Sequence, residues 1–304
     1  MEFNLVDLQI TVESRDPVGL ALRLAEAAGA FAAACRRTVC VTPTAGCAHC
    51  PSSERCAWQT VFSQQLSTDP AALKRHQKPP LPFVFSFPFA EEAGEGGGMV
   101  ECGLVVAGRA IPHLEMLLKG FEELVADDSR QPGRIVQVAA RDYHGECRLL
   151  GNVASAARAE NLPVLSAAAM LEASPWECAG VTIRLLSPLR LLQGGRPCRR
   201  FDFSLFARSL MRRVSSFAYY YGECELETDF RQLSHLAGRV GCSEDRFRYG
   251  SMGGCKQRAE GVTGSGGFVG ELGDLMPFLV LGTYLHVGKG AAFGMGRYAL
   301  ILNT

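Results

Sequence analysis

Apolar and polar positions in the N-terminal half predict one unit of alternating strands and helices. Partial two-residue alternation with β-forming side chains indicates strands, and apolar residues at helical spacing indicate helices. The strands are expected at Phe3–Val12, Pro82–Phe89, Met99–Val106 and Arg134–Ala140, and the helices at Pro17–Arg37 and Ile111–Val125. The resulting order is strand–helix–strand–strand–helix–strand.

The same order of elements is predicted again in the C-terminal half. The strands are expected at Val181–Leu186, Arg246–Tyr249, Gly261–Leu272 and Arg297–Leu302, and the helices at Phe203–Tyr221 and Asp274–Leu285. Residues 141–178 are interpreted as a connection. We therefore expect an α+β protein of two tandem ferredoxin-like βαββαβ domains, over residues 1–145 and 178–304.

The distribution of charge points to a phosphate-bearing partner for the second domain. The 304 residues include 31 Lys+Arg and 31 Asp+Glu, so the formal net charge is zero. With 47% apolar residues, this composition excludes a disordered chain and a uniformly basic coat protein. Between Arg184 and Arg213, however, eight arginines accompany one acid, Asp202. Arginine binds phosphate with two donors and stacks on bases, although a solvated helix face is the alternative.

Four of the twelve cysteines are grouped in a loop over residues 38–58. The N-terminus has no basic region before an apolar run, and no uninterrupted apolar segment reaches membrane length, so a cytoplasmic protein without a membrane partner is expected. Disulfides are rare in the cytoplasm. The pattern Cys40-x6-Cys47-x2-Cys50-x5-Cys56 suits a structural zinc ion, with an iron–sulfur cluster as the alternative. His49 and Cys35 are spare ligands.

A glycine-rich turn, residues 286–297, separates the last predicted helix from the last strand. It contains Gly288, Gly290, Gly294 and Gly296, and glycine allows positive φ and close approach of a ligand to the backbone. Exposed amides in such a turn suit an anion, and Lys289 and Arg297 add positive charge. The turn follows a helix and precedes a strand, so it is neither a P-loop nor a dinucleotide fingerprint. A turn without any ligand is the alternative.

This turn resembles the C-terminal glycine-rich loop of the CRISPR-associated endoribonucleases that process precursor CRISPR RNA, members of the RAMP superfamily. The family loop reads glycine-hydrophobic-glycine, five residues including a basic one, then glycine-hydrophobic-glycine. Here it reads His286-Val287-Gly288, Lys289–Phe293 and Gly294-Met295-Gly296, with His286 in place of the first glycine. The resemblance covers Val181–Thr304 well and the N-terminal half weakly. It implies two RAMP ferredoxin-like domains, in agreement with the order of elements.

The resemblance also implies RNA cleavage that needs no metal. The 2′-hydroxyl attacks the adjacent phosphate and leaves a 2′,3′-cyclic phosphate (or 3′-phosphate) and a 5′-hydroxyl, a reaction that needs a base, an acid and cations. Many relatives place a histidine base on or near the first helix, but Pro17–Arg37 contains no histidine. His286 is then the expected base, and Lys289, Lys256 and Tyr249 are expected to position the phosphate or stabilise its charge.

The expected partners are CRISPR repeat RNA or the mature CRISPR RNA, which the protein is expected to retain, and other subunits of a CRISPR effector complex. The residues expected to bind RNA are Gly288, Gly290, Gly294, Gly296, Arg297, Arg199, Arg200, Arg208, Arg212, Arg213, Arg248 and Arg258. The missing first-helix histidine keeps open a second hypothesis, a non-catalytic RNA-binding subunit of such a complex. A metal-dependent nuclease at the cysteines is less favoured because four thiolates would saturate the ion.

Overall fold

A computed structural model describes residues 3–42, 46–47, 50–76, 78–88, 98–127, 132–173, 178–251 and 260–303. The chain divides into two compact units. One spans Asn4–Leu165, and the other comprises Phe3 with residues 166–303. In the described part of the chain, no helix combines the length and apolar character needed to span a bilayer.

The N-terminal unit is built on an antiparallel sheet. Its elements are β1 (Asn4–Glu13), α1 (Pro17–Glu26), α2 (Ala28–Val39), α3 (Ala57–Phe62), α4 (Pro70–Arg75), β2 (Phe83–Ser86), β3 (Met99–Ala107), α5 (Leu114–Ala126), β4 (Arg134–Arg141), β5 (Cys147–Gly151), α6 (Val153–Ala157) and β6 (Leu165–Ser166). The strand order β2-β3-β1-β4 is the one expected from the predicted βαββαβ pattern, and β5 extends the sheet beyond β4.

The first helical segment differs from its prediction, because two helices replace the single helix Pro17–Arg37. Asp16 begins α1 by accepting a hydrogen bond from the amide of Gly19 at 2.9 Å. The chain leaves helical geometry at Ala27, which caps α1, and α2 starts at the next residue. The buried face of α2 brings Phe31 within 5.0 Å of Phe85 on β2, measured between ring centroids. The core of this unit is therefore largely aromatic.

The prediction that residues 141–178 form only a connection is wrong. It contains β5, α6 and β6 and the start of the C-terminal unit. β5 is short and all its residues are exposed or half-buried, so it lacks the buried alternation that identifies a strand in sequence.

The C-terminal unit repeats the arrangement. Its elements are α7 (Ala167–Glu172), β7 (Gly180–Leu189), β8 (Leu192–Gln193), β9 (Arg196–Pro197), α8 (Phe203–Gly222), α9 (Phe230–Arg239), β10 (Gly241–Asp245), β11 (Arg248–Ser251), β12 (Glu260–Val269), α10 (Met276–Leu285) and β13 (Tyr298–Asn303). The strand order is β10-β12-β7-β13, and β11 also pairs with β12. The order in space thus matches that of the first unit.

Packing of α8 and α10 fixes the end of the chain that carries the glycine-rich turn. Asp202 caps α8 by accepting from the amide of Leu205 at 2.7 Å. The buried Tyr298 on β13 donates its hydroxyl to the carbonyl of Leu279 on α10 at 2.5 Å.

Helix α9 is absent from the prediction, and only Leu233 and Ala237 among its ten residues are buried. The helix predicted from Asp274 begins two residues later, at Met276.

Candidate nucleic-acid interface

The glycine-rich loop between α10 and β13 is tied to the end of β7 by backbone hydrogen bonds. Its four glycines all have positive φ, between +66° and +87°. The amide of Val287 donates to Gly296, and the amide of Gly296 donates to Pro188 at 3.0 Å. The amide of Lys289 donates to the carbonyl of Arg190 at 2.9 Å. The loop therefore has one defined path over the end of β7.

Glycine is required at two of these positions by close approach as well as by φ. A Cβ on Gly296 would lie 1.8 Å from the carbonyl oxygen of Val287, and one on Gly288 would lie 2.5 Å from that of Arg190. The amides of Phe293 and Met295 also donate within the loop. Several amides predicted to face an anion are thus already bonded, and side chains must supply more of the contacts with a ligand.

His286 lies beneath this loop and is only 3% exposed. Burial lowers the pKa of its imidazole well below the ordinary value, and the charges of Arg297 and Arg213 lower it further. A hydrogen bond to the backbone of Ala291 acts in the opposite direction. The Nδ1 atom has no solvent contact and no hydrogen-bond partner. His286 is therefore neutral, as a base must be, but enclosed.

Arg213 differs from its predicted place on an exposed RNA-binding surface. Its Nε donates to the carbonyl of Leu285 at 2.7 Å, and its guanidinium lies 5.1 Å from the ring centroid of Phe217. The residue as a whole is half-buried, but its Nη2 has neither solvent contact nor a partner. Burial lowers the pKa of this guanidinium to about 10, so it stays charged at neutral pH.

Tyr249 lies at the same end of the sheet as the glycine-rich loop. Its register partner on β12 is Val262, which pairs with Leu189 on β7. Neighbouring strands are roughly 4.8 Å apart, so Tyr249 lies about 10 Å from Leu189. The next residue, Arg190, holds the backbone of Lys289, whose side chain is exposed. The fold therefore brings two of the predicted catalytic residues to one region.

Two neighbours hold Tyr249 in place. Its hydroxyl donates to Oε2 of Glu260 at 3.3 Å, and the guanidinium of Arg199 lies 5.4 Å from its ring centroid. Glu260 was missed by sequence reasoning, because only the register of β11 against β12 brings the two side chains together. The exposed Arg199 therefore lies beside the phenol ring of Tyr249, whose hydroxyl is held by Glu260.

The other predicted RNA-binding arginines vary in exposure. Arg208 is half-buried, and its Nη1 donates to Oγ of Ser204 at 2.7 Å, while Arg297 is half-buried near His286. The exposed ones are Arg200, Arg212 and Arg248. Lys256 and Arg258 lie outside the described residues.

The four cysteines of the 38–58 loop line one cavity with Arg36 and Trp58. They are Cys40, Cys47, Cys50 and Cys56. Arg36 hydrogen-bonds to Cys40 and lies over the Trp58 ring, 5.8 Å from its centroid. Among the described residues, no three His, Cys, Asp or Glu side chains are arranged to hold a metal ion. The donor chemistry suits zinc, but the thiols line the cavity without forming a coordination shell.

Of the two residues predicted as spare ligands, Cys35 is buried and His49 lies outside the described residues. Burial raises the pKa of Cys35 to about 12, which disfavours the thiolate that a metal needs.

Comparison with protein families matches each half of the chain to a different family model. The model of the CRISPR-associated endoribonuclease Cas6 family matches residues 183–298, which include β7, α8, the glycine-rich loop and the start of β13. This match confirms the resemblance of the C-terminal half to the Cas6 endoribonuclease family. A second model, described as an N-terminal domain, matches residues 3–161. In sequence, no curated protein matches the chain.

Solved structures of Cas6 proteins share the fold of this chain. The product complex of Cas6 (TTHB231) from Thermus thermophilus has a TM-score of 0.60 at 16% identity, covering 98% of this chain and 100% of the other. The product complex of Cas6 (TTHA0078) has a TM-score of 0.54 at 16% identity, covering 99% and 100%. The partial Cas6-RT-Cas1–Cas2 complex has 0.57 at 11% identity, covering 99% of this chain and 46% of that one.

Proposed function

We propose that this protein is a member of the Cas6 family, an endoribonuclease that cuts CRISPR repeat RNA and retains the product, with two ferredoxin-like RAMP domains as its scaffold. One observation carries the proposal. The glycine-rich loop lies within the segment matched by the family model and carries the exposed Lys289. It lies at the same end of a sheet as Tyr249. That end of the sheet combines a defined backbone with cationic and phenolic side chains, which suits a phosphodiester.

The proposed reaction is metal-independent transesterification. The 2′-oxygen bonds to the adjacent phosphorus while its proton passes to a base. The bond from phosphorus to the 5′-oxygen breaks, and an acid protonates that oxygen. The products are a 2′,3′-cyclic phosphate and a 5′-hydroxyl. Charge accumulates on the non-bridging oxygens, where a nearby ammonium stabilises it most.

Individual roles follow from exposure. Lys289 is exposed and supplies the ammonium, and Tyr249 positions the phosphate through its fixed hydroxyl. Lys256 keeps its proposed supporting role. The prediction that His286 is the base stays untested, and serving as base would require the loop to uncover Nδ1. RNA contacts are assigned to the exposed arginines Arg199, Arg200, Arg212 and Arg248, supported by Arg208, Arg258 and Arg297.

The experiment combines cleavage with analysis of product ends. End-labelled repeat RNA and the protein in EDTA should give a single cut with a cyclic phosphate on the 5′ fragment. Lys289→Ala should slow single-turnover cleavage by about 100-fold, in the range of one lost charge-stabilising contact. The matched control is Lys119→Ala, since Lys119 pairs with Glu115 on α5 of the other unit. No cut under any metal condition would overturn the enzyme proposal.

A second candidate function is a non-catalytic CRISPR RNA-binding subunit. Two observations favour it: α1 and α2 contain no histidine, and His286 is enclosed. This candidate requires tight repeat binding without any cut. The first candidate requires cleavage, so the same assay separates them.

We further propose a structural zinc ion, or an iron–sulfur cluster as the alternative, at Cys40, Cys47, Cys50 and Cys56. Their lining of one cavity supports the proposal, and Arg36 would offset the negative charge of four thiolates. Binding requires the thiols to close around the ion. Elemental analysis and a visible spectrum of the purified protein distinguish zinc from iron and sulfide. Protein that folds and binds RNA with no metal would overturn the proposal.

The proposed partners are repeat RNA and further CRISPR proteins in the cytoplasm. Similar structures support this choice, since two are described as product complexes and one as part of a Cas6-RT-Cas1–Cas2 complex. Co-purification of CRISPR RNA with the protein from cells carrying a CRISPR array is the direct test. Recovery of only random RNA fragments would contradict specific retention.

A further inference from the structure

Arg213 on α8 is a charged side chain in the interior with an unused donor. Its Nε holds the carbonyl of Leu285, the last residue of α10, and Nη2 has neither solvent contact nor a partner. No carboxylate in the described part of the chain pairs with it, and α8 itself contains no acid. Burying a guanidinium without a counterion is costly, so its retention here needs a compensating interaction.

His286, the residue after Leu285, carries the complementary unused group. Nδ1 of its imidazole has no solvent contact and no donor, while the ring bonds to the backbone of Ala291 inside the glycine-rich loop. Because Nδ1 is unpartnered, the bond to Ala291 involves Nε2, which donates it when the ring is neutral. Nδ1 is then an acceptor in need of one proton donor.

The backbone at His286 is also held in an uncommon conformation. Its φ is +54°, in the left-handed region that favours glycine, and its amide donates to the carbonyl of Gly282 at 2.8 Å. A non-glycine residue keeps such a conformation only where its surroundings fix it. The bonds made by its side chain are therefore part of what sets the exit of the chain from α10.

We propose that one buried water accepts from Nη2 of Arg213 and donates to Nδ1 of His286, and that this water-linked pair is a positioning device for the glycine-rich loop. The proposal rests on the proposed function only in its consequence for RNA. The pair connects α8 to His286, and the ring of His286 bonds to the backbone of Ala291. Lys289 lies between His286 and Ala291, so loosening the pair displaces the Lys289 ammonium from the scissile phosphate.

The wild-type protein supplies a direct test. Long-range 15N–1H spectra of the histidine rings, assigned with His286→Gln, report which ring nitrogen of His286 carries the proton. The proposal requires a neutral ring protonated at Nε2 in the RNA-free protein. A ring protonated at Nδ1, or one that exchanges with solvent as freely as an exposed histidine, would overturn it whatever the protein does to RNA.

Two substitutions test the positioning role. Arg213→Met keeps the volume and removes the charge and donors, so the protein should be as thermostable as the wild type or more so. Its cleavage rate on repeat RNA should nevertheless fall at least tenfold, because small misplacements of catalytic groups cost that much or more. Arg213→Lys restores a cation and a donor and should recover part of the rate and the Nε2 tautomer.

The matched control is Arg239→Met, an exposed arginine at the end of α9 that has no place in the proposed interface. Its cleavage rate should stay within twofold of the wild-type rate. Its His286 spectrum should not shift. Arg213→Met with wild-type cleavage and an unchanged tautomer would overturn the proposal. A wild type that neither binds nor cuts repeat RNA would refute the proposed function while leaving the spectroscopic test of the pair intact.

Discussion

Substitution of Gly296 by alanine tests whether the glycine-rich loop depends on close backbone approach. An alanine at φ +66° costs about 1–2 kcal/mol in local conformation. Its Cβ would also lie 1.8 Å from the carbonyl of Val287, so the backbone must move. That movement breaks two hydrogen bonds, from Val287 to Gly296 and from Gly296 to Pro188, at about 1 kcal/mol each. The expected loss in the free energy of unfolding is about 3–4 kcal/mol.

Gly195→Ala is the matched control for this prediction. Gly195 lies in the same unit with φ +78°, but a Cβ there would meet nothing within 4 Å. Its substitution carries the conformational cost alone, about 1–2 kcal/mol. Urea unfolding should therefore separate the two variants by about 2 kcal/mol, and the Gly296 variant should melt roughly 10 °C below the wild type. Equal losses in the two variants would refute the role assigned to close approach.

Three further predictions concern other parts of the chain. Asp202→Ala removes the cap of α8 and should lower the free energy of unfolding by about 1 kcal/mol in urea, whereas an unchanged midpoint would contradict the cap. Because the pKa of His286 is below its ordinary value, the unfolded state binds the proton first as pH falls below about 6.5, so stability decreases there by up to about 1.4 kcal/mol per pH unit. His286→Gln should flatten this slope in urea titrations, and an unchanged slope would count against burial. Arg36→Ala should speed loss of the proposed metal to a chelator, while Arg37→Ala, whose guanidinium pairs with Glu123, should not, and equal rates would exclude the role given to Arg36.

The order of the main elements was predictable because periodicity follows burial. β1 and β12 lie within one to three residues of their predicted bounds at each end, and both strands occupy interior positions of their sheets. Elements with little buried surface were missed, among them β5 and α9. The break at Ala27 was also missed, since alanine carries no signal for ending a helix and apolar residues continue on both sides.

The candidate site was predictable in its residue types and only partly in its geometry. The spacing of glycines identified the loop, and the structure gives each of the four a positive φ. The pairing of Tyr249 with Glu260 depends on the register of β11 against β12, which the sequence does not reveal. Two of the bonds that occupy the loop amides run to Pro188 and Arg190, about a hundred residues earlier in the chain.

The contrast between Arg212 and Arg213 shows what a count of arginines conceals. Successive residues on a helix point about 100° apart, so neighbours in sequence can have opposite environments. Arg213 lies three residues after Leu210 and four before Phe217, both buried, and is therefore on the apolar stripe of α8, whereas Arg212 is exposed. An arginine on the stripe that packs against the core is not part of a solvated face, and it needs an internal acceptor. In this chain the observed acceptor is the carbonyl of Leu285, where α10 ends, so the guanidinium of Arg213 holds the start of the glycine-rich loop whereas Arg212 faces solvent.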